Sequence, residues 1–337
     1  MGDTVQIMIT MAIYMAVVIG IGVVFAKKAN KSSEAYFLGG RTLGPWVTAM
    51  SAEASDMSGW LLMGLPGVAY WCGIADAAWT AIGLAVGTYV NWLITSKRLR
   101  RYSEKAGNAI TLPEFFSNRF HEKGKVVMTV SALFILIFFT VYAASCLVTC
   151  GKLFSTLFGF DYVPMMIVGA IFVLVYTIIG GFLAESASDF MQAIVMIVAL
   201  IVIVVTGTVA AGGLGAVIDN AGSIPGFLEF FGVATPETVD GVQQVVNGTP
   251  QFGEAGSYSL LSVVSALAWG LGYFGMPQVL LRFMAIRREG ELKSSRRIAT
   301  VWVLISLVVA VFIGVMGRAL YPDALTTASS AENIFIL

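Results

Sequence analysis

The sequence predicts an all-α, polytopic membrane protein built on an inverted repeat of five helices, with one extra helix ahead of it. Three observations lead there. Apolar residues make up 58% of the 337-residue chain and charged residues only 12%, where a soluble domain carries roughly 25%. Eight apolar stretches are each long enough to cross a bilayer, which takes ~20 residues. Two of them are interrupted, and those two run in opposite directions.

The predicted spans, I to VIII, cover 4–26, 42–70, 77–96, 126–151, 162–184, 190–213, 257–281 and 298–317. Span I has only Asp3 ahead of it and Lys27 and Lys28 behind it. It is too long for the apolar core of a signal peptide and reads as a span. Spans III to VI and VIII are free of Asp, Glu, Lys and Arg through their centres.

Basic residues orient the bundle. Lys27, Lys28, Lys31 and Arg41 fall between spans I and II. Eight more, from Lys97 to Lys125, fall between III and IV, and six, from Arg282 to Arg297, between VII and VIII. Those 18 of the 20 basic residues share one side when eight spans are threaded, leaving out Lys152 and Arg318. Loops 27–41, 97–125 and 282–297 are therefore read as cytoplasmic, and the N-terminus as outside. The loop between VI and VII carries Asp219, Glu229, Glu237, Asp240 and Glu254 with no Lys or Arg, as an external loop should. Beyond Arg318 a polar stretch leads to Ile334-Phe335-Ile336-Leu337. An apolar run opens as the sequence stops, so the chain reads as part of a longer protein with its second repeat incomplete.

Composition excludes several functions. Net charge is zero, which argues against nucleic acid as a partner. His121 is the single histidine and lies in a charged loop, so no Ser/His/Asp or Cys/His set can be assembled around it. Cys146 and Cys150 share a helix face, but two thiols do not make a metal site. A membrane-embedded enzyme would need several ligating side chains at one depth, and only Glu53 and Asp56 lie deep. No obligate protein partner is evident; the partner composition does call for is the lipid bilayer.

The two interrupted spans carry the functional argument. Span II contains Ser51-Ala52-Glu53-Ala54-Ser55-Asp56-Met57-Ser58-Gly59-Trp60. An acidic group at mid-bilayer costs ~2.5–3.5 kcal/mol on insertion scales, so it faces protein or a watery cavity. Ser and Gly weaken helix continuity. The segment reads as unwound and lining an ion or solute site, with a polar helix–helix contact as the alternative. Span VII contains Trp269-Gly270-Leu271-Gly272-Tyr273-Phe274-Gly275-Met276-Pro277. Three glycines and a proline predict a second break; close packing through small residues is the alternative there. Broken helices five spans apart and opposite in direction are the signature of an inverted repeat, II to VI and then VII onward. The cluster Gly180-Gly181-Phe182-Leu183-Ala184-Glu185-Ser186-Ala187-Ser188-Asp189 after span V reads as a cytoplasmic turn, either solvated or lining an ion exit path.

Several of these stretches resemble the sodium/solute symporter family. They are Tyr36-Phe37-Leu38-Gly39-Gly40-Arg41 with Leu43-Gly44-Pro45, Ser55 through Gly67, Gly180-Gly181-Phe182-Leu183-Ala184, and Trp269 through Gly275 with Pro277 and Arg282-Phe283-Met284-Ala285. The Ser55–Gly67 and span VII runs are most similar to the proline-type members. The resemblance implies a leucine-transporter-type fold and sodium-coupled uptake of L-proline across a plasma membrane, with sodium as the co-transported ion; a same-family sodium symporter for another small solute and a transporter-like sensor domain of a membrane kinase are the alternatives. It implies a sodium site using the main-chain carbonyls of Ala54 and Met57, with Asp56 needed for coupling. Ser58, Gly59, Trp60, Tyr142, Trp269, Tyr273 and Pro277 would line the solute site. Arg41 would sit at the cytoplasmic end of the pathway, and Asp189 would take part in ion passage. The whole of 1–337 would be one transporter domain. Two departures stand out: Glu53 where relatives have a small residue, and Glu185 with Ala187 where they have an apolar residue and a tryptophan.

Overall fold

The computed structural model describes the backbone of residues 2–337 and side chains from Val5 onward. Helices come first and dominate: α1 (Gly2–Ala29), α2 (Ser33–Leu38), α3 (Pro45–Gly59), α4 (Leu65–Cys72), α5 (Ile74–Lys105), α6 (Leu112–Arg119), α7 (Val126–Phe158), α8 (Tyr162–Ala210) and α9 (Leu214–Gly222). Six two-residue strands follow, β1 (Gly232–Val233), β2 (Thr238–Val239), β3 (Val242–Gln243), β4 (Val245–Val246), β5 (Thr249–Pro250) and β6 (Gly256–Ser257). The chain returns to helix in α10 (Leu260–Ala268), α11 (Pro277–Ala285), α12 (Leu292–Leu320) and α13 (Ala328–Ala331).

The long helices fall on the predicted spans. Among the described residues five helical segments are long and apolar enough to cross a bilayer. One of these, α8, has 49 residues, more than twice the ~20 that one crossing needs, and contains both span V and span VI. Its helical geometry fails at Gly181 (φ 57°, ψ −159°), a conformation only glycine enters freely. A Cβ there would stand 2.8 Å from the carbonyl oxygen of Tyr36. The turn expected over 180–189 is therefore confined to Gly181, and Glu185 to Asp189 are helical. Ser186, Ser188 and Asp189 are buried, which rules out the solvated-turn reading of this cluster.

Both predicted interruptions exist. Span II is split into α3 and α4 by Ser58, at φ 48° and ψ −164°, followed by a widened turn over Trp60–Gly64. Span VII is split into α10 and α11 by a tight helical stretch, Trp269–Gly275, and an extended Met276 (φ −77°, ψ 106°) that places Pro277 at the start of α11.

The chain forms two compact units. The first holds the chain through Asp56, Val90–Ala193 and Phe274–Ala299. Its core includes Leu38, Leu43, Ala52, Trp92, Leu99, Leu183, Phe283 and Met284. Here the three basic loops meet. Leu43 and Ile286 pair as a parallel bridge, with Leu43 N–H donating to Ala285 O and Arg287 N–H to Leu43 O. Arg41, only 8% exposed, donates to Asn108 Oδ1, Ala109 O and Met284 O. The loops after spans I, III and VII thus share one set of hydrogen bonds, as placing them on one side requires.

The second unit holds Met57–Tyr89, Ile194–Tyr273 and Thr300–Leu337. Leu200, Val217, Phe227, Ile313 and Met316 form its larger core, and Tyr70, Leu325, Ala331 and Ile334 a smaller one. The acidic loop, expected only as a connection, forms three antiparallel pairs, β1–β6, β2–β3 and β4–β5. Asp240-Gly241 and Asn247-Gly248 make the two tight turns, all four at positive φ, which suits Asp-Gly and Asn-Gly hairpins.

Candidate functional site

Breaking a transmembrane helix leaves main-chain groups without helical partners. In span II that happens at Ser58, a non-glycine residue at positive φ, whose conformation costs ~1–3 kcal/mol and persists because the surroundings enforce it. The turn preceding the break includes Ala54 and Met57. Tyr142 on α7 reaches this turn: its hydroxyl donates to Ser55 O at 3.2 Å. Asp56 is 9% exposed and Met57 2%. The resemblance assigned Tyr142 to the solute, and the structure shows it bonded to the backbone of the broken helix.

The same unit holds a buried charged cluster. Ser51 and Ser55 lie one turn apart on α3, and both hydroxyls donate to Asp189 Oδ2, at 2.8 and 2.9 Å. Arg282 on α11 donates to that oxygen at 2.9 Å through Nη2, to Glu185 Oε1 at 3.2 Å, and to Ser51 Oγ at 3.0 Å through Nε. Its guanidinium also lies 5.1 Å from the centroid of the Phe182 ring. Phe182, Glu185 and Asp189 share one face of α8 at helical spacing. Asp189, predicted from the motif, is thus the acceptor around which two serines and an arginine converge. The sequence places Arg282 among the loop cations and in the Arg282–Ala285 stretch of the resemblance, with no site role; at 1% exposed it is a buried partner. Its position seven residues after Gly275, inside an apolar run, was the available signal.

Glu53 is 2% exposed and its Oε1 accepts a hydrogen bond from Trp92 Nε1 at 2.9 Å. Trp92 in turn packs edge-on against Phe283, ring centroids 4.5 Å apart. The acidic departure beside Ala54 is therefore held by an indole N–H.

In the second unit Trp60 and Trp269 pack with centroids 5.2 Å apart and planes at 33°. Tyr273 is buried with its hydroxyl 3.9 Å from Met57 Sδ. A cavity of about 710 Å³ is lined by both tryptophans with Asp76, Thr80, Tyr258 and Ser262. The Tyr258 hydroxyl donates to Asp76 Oδ1 at 2.5 Å, so the cavity has an aromatic wall and a polar one. The glycines of span VII divide by role. A Cβ on Gly270 would come within 2.1 Å of Gly83 O, whereas Gly272 and Gly275 have open space. Close packing, the alternative reading, holds for Gly270 alone.

Of the predicted residues, then, Trp60, Trp269, Tyr273 and Met57 gather in one unit with Ser58 and Gly59. Ala54, Asp56, Tyr142, Asp189, Arg41 and Pro277 belong to the other.

Against known proteins, the profile of the sodium:solute symporter family matches residues 36–337. The chain belongs to the sodium:solute symporter family. Members of that family are transporters and not enzymes, and with its apolar helices this one is a multi-pass membrane protein. Sodium/proline symporters of Staphylococcus aureus strains USA300 and JH9 are each 38% identical over 332 residues, covering 98% of this chain and 60% of the relative. The chain thus spans about 60% of the length of these curated relatives. The solved substrate-bound, outward-open state of a Na+-coupled sialic acid symporter matches at TM-score 0.74 over 96% of this chain and 64% of that one. At 16% identity that likeness speaks for the fold, the leucine-transporter type.

Proposed function

We propose that the full-length protein is a sodium-coupled symporter for L-proline, working by alternating access in a plasma membrane, with its N-terminus outside and loops 27–41, 97–125 and 282–297 in the cytoplasm. Residues 1–337 would act as part of one transporter domain. The observation that carries this reading is the 38% identity to sodium/proline symporters across nearly the whole chain, including the broken segment around Ser58. Proline specificity is the finer part of the claim and rests on the Ser55–Gly67 and Trp269–Gly275 runs.

The chemistry is consistent. Sodium is a hard cation and prefers oxygen ligands. The break at Ser58 offers main-chain oxygens of Ala54 and Met57, and Asp56 supplies negative charge in the same segment. Bound sodium offsets the cost of that charge within the membrane. Trp60, Trp269 and Tyr273 supply flat apolar surface suited to a pyrrolidine ring, and indole faces attract an ammonium group. The motif alone assigns solute contact to Ser58, Gly59, Tyr142 and Pro277, and an end-of-pathway role to Arg41. Asp189, with its two serine donors and its arginine, is the candidate for ion passage. Each sodium crossing with the field gains roughly 2.3 kcal/mol per 100 mV, which can drive accumulation of solute.

The experiment is labelled proline uptake by the full-length protein in proteoliposomes, with external sodium replaced by choline. Uptake should fall to the level of empty liposomes in choline, and unlabelled proline should compete better than other amino acids, pantothenate or sugars. Equal uptake in sodium and choline refutes the coupling. Stronger competition by another solute refutes the specificity while leaving the coupling standing.

A further inference from the structure

The cavity beside Trp60 and Trp269 holds a charged side chain to which the transport reading gives no task. Among the described residues lining it, Asp76 alone is charged; the others carry aromatic, aliphatic, hydroxyl or thiol groups. Asp76 lies in the first turn of α5, at the end opposite Lys97 and Lys105. That end suits a negative charge, and in the proposed orientation it faces outside. Asp76 is half-buried. Its Oδ1 accepts from the Tyr258 hydroxyl at 2.5 Å, and Tyr258 follows directly on β6. Asp76, Tyr258 and both tryptophans belong to the second unit.

A carboxylate offers about four acceptor positions, and the neutral Tyr258 hydroxyl takes one of them. Among the described residues no Lys or Arg forms an ion pair with Asp76. Asp189 shows the contrast, with Arg282 at 2.9 Å. The charge on Asp76 borders instead on an open volume of about 710 Å³. The same volume is walled by Trp60 and Trp269, whose rings pack 5.2 Å apart. An ammonium group suits both features. It makes a charge-assisted hydrogen bond with the carboxylate, and indole faces attract a cation. A solute that carries only negative charge is repelled by Asp76, and a neutral one forgoes the charged hydrogen bond.

We propose that Asp76 determines specificity: its carboxylate receives the ammonium group of the solute in this cavity, and so selects amino acids over anionic or neutral solutes of similar size. Tyr258 is a positioning residue, holding Oδ1 so that Oδ2 is left for the solute. Asp76 lies outside every stretch that carries the family resemblance, so the motifs assign it nothing. The proposal rests on the proline-uptake reading and adds to it the group that recognises the solute's positive charge.

The test is sodium-driven uptake of labelled L-proline by the full-length protein in proteoliposomes, with tetrahydrofuroate as competitor. That probe keeps the ring and the carboxylate and puts an ether oxygen in place of the ammonium. Wild type should prefer proline strongly. Asp76→Asn keeps an acceptor for Tyr258 and removes the charge. It should raise KM for proline ~10-fold or more, the worth of one charge-assisted hydrogen bond, and shrink the preference over tetrahydrofuroate by a similar factor. Asp76→Glu should recover part of both, and Tyr258→Phe should move both less than Asp76→Asn does. An Asp76→Asn protein with a lower maximal rate but wild-type KM and preference marks a merely structural residue and overturns the proposal. A second measurement, tryptophan emission titrated with pyrrolidinium, needs no transport and no Asn variant. Wild type should give a saturable change that tetrahydrofuroate does not, and Asp76→Glu should need a different concentration for half of it; equal responses to the two probes overturn the proposal. Wild type that binds pyrrolidinium in this way without sodium-driven uptake refutes the transport reading alone. Wild type that accumulates proline with sodium, with KM and preference untouched by Asp76→Asn, refutes the role of Asp76 alone.

Discussion

Arg282 and Asp189 show what a single buried charge requires of its neighbours. Asp189 Oδ2 accepts from Ser51, Ser55 and Arg282, and Arg282 spends its other donors on Ser51, Glu185 and Gln278 O. Removing one member leaves the others buried without compensation, at a cost of ~3–5 kcal/mol. Arg282→Met should therefore lower the Tm of the full-length protein sharply. Arg282→Lys should lower it less, because the charge survives while the planar donor set does not. A thermal scan of the two variants against wild type checks both, and equal Tm values for all three would remove the cluster from any account of stability. Asp56 belongs to the same scale but to a different claim. Asp56→Ala should fold and yet lose the sodium stimulation of uptake; a sodium response like wild type's takes Asp56 out of the coupling role.

Elements are held by glycines at a few defined places. Gly87 on α5 would put a Cβ 2.3 Å from Gly270 O, while Gly272 has nothing within 4 Å. Gly87→Ala should destabilise by ~1–3 kcal/mol through overpacking, and Gly272→Ala should leave Tm unchanged. A scan showing the reverse order would mean that α5 and the Trp269–Gly275 segment pack otherwise. At this scale the fold is legible in the sequence where the signal is physical and local. Apolar run length gave the long helices, and Ser, Gly and Pro within such runs gave both breaks. The fold is not legible where tertiary packing decides. Nothing in Glu185-Ser186-Ala187-Ser188-Asp189 reveals that a polar cluster will be helical and buried; that depends on Arg282 arriving from nearly a hundred residues away. Arg318 was equally opaque, because its neighbours Gln243 and Phe252 come from the loop. The hairpins are legible in Asp240-Gly241 and Asn247-Gly248, which are strong turn signals.

At the scale of the molecule, sidedness and coupling are the testable properties. Arg41 ties three basic loops together, so they share a side, and the proposed orientation, taken from the positive-inside bias, places that side in the cytoplasm. Val246, 53% exposed in the hairpin loop, replaced by cysteine in a background without the three native ones, should react in intact cells with a membrane-impermeant maleimide. A cysteine in place of Lys123 should react only after the cells are opened; the opposite pattern inverts the topology. Coupling is the central claim, and it is reciprocal: if sodium drives proline, a proline gradient must drive sodium. The most direct measurement is labelled sodium entry into proteoliposomes of the full-length protein, with equal sodium on both sides and L-proline outside only. The account predicts proline-dependent sodium entry above the electrochemical balance, abolished by Asp56→Ala. Sodium entry identical with and without proline would contradict it.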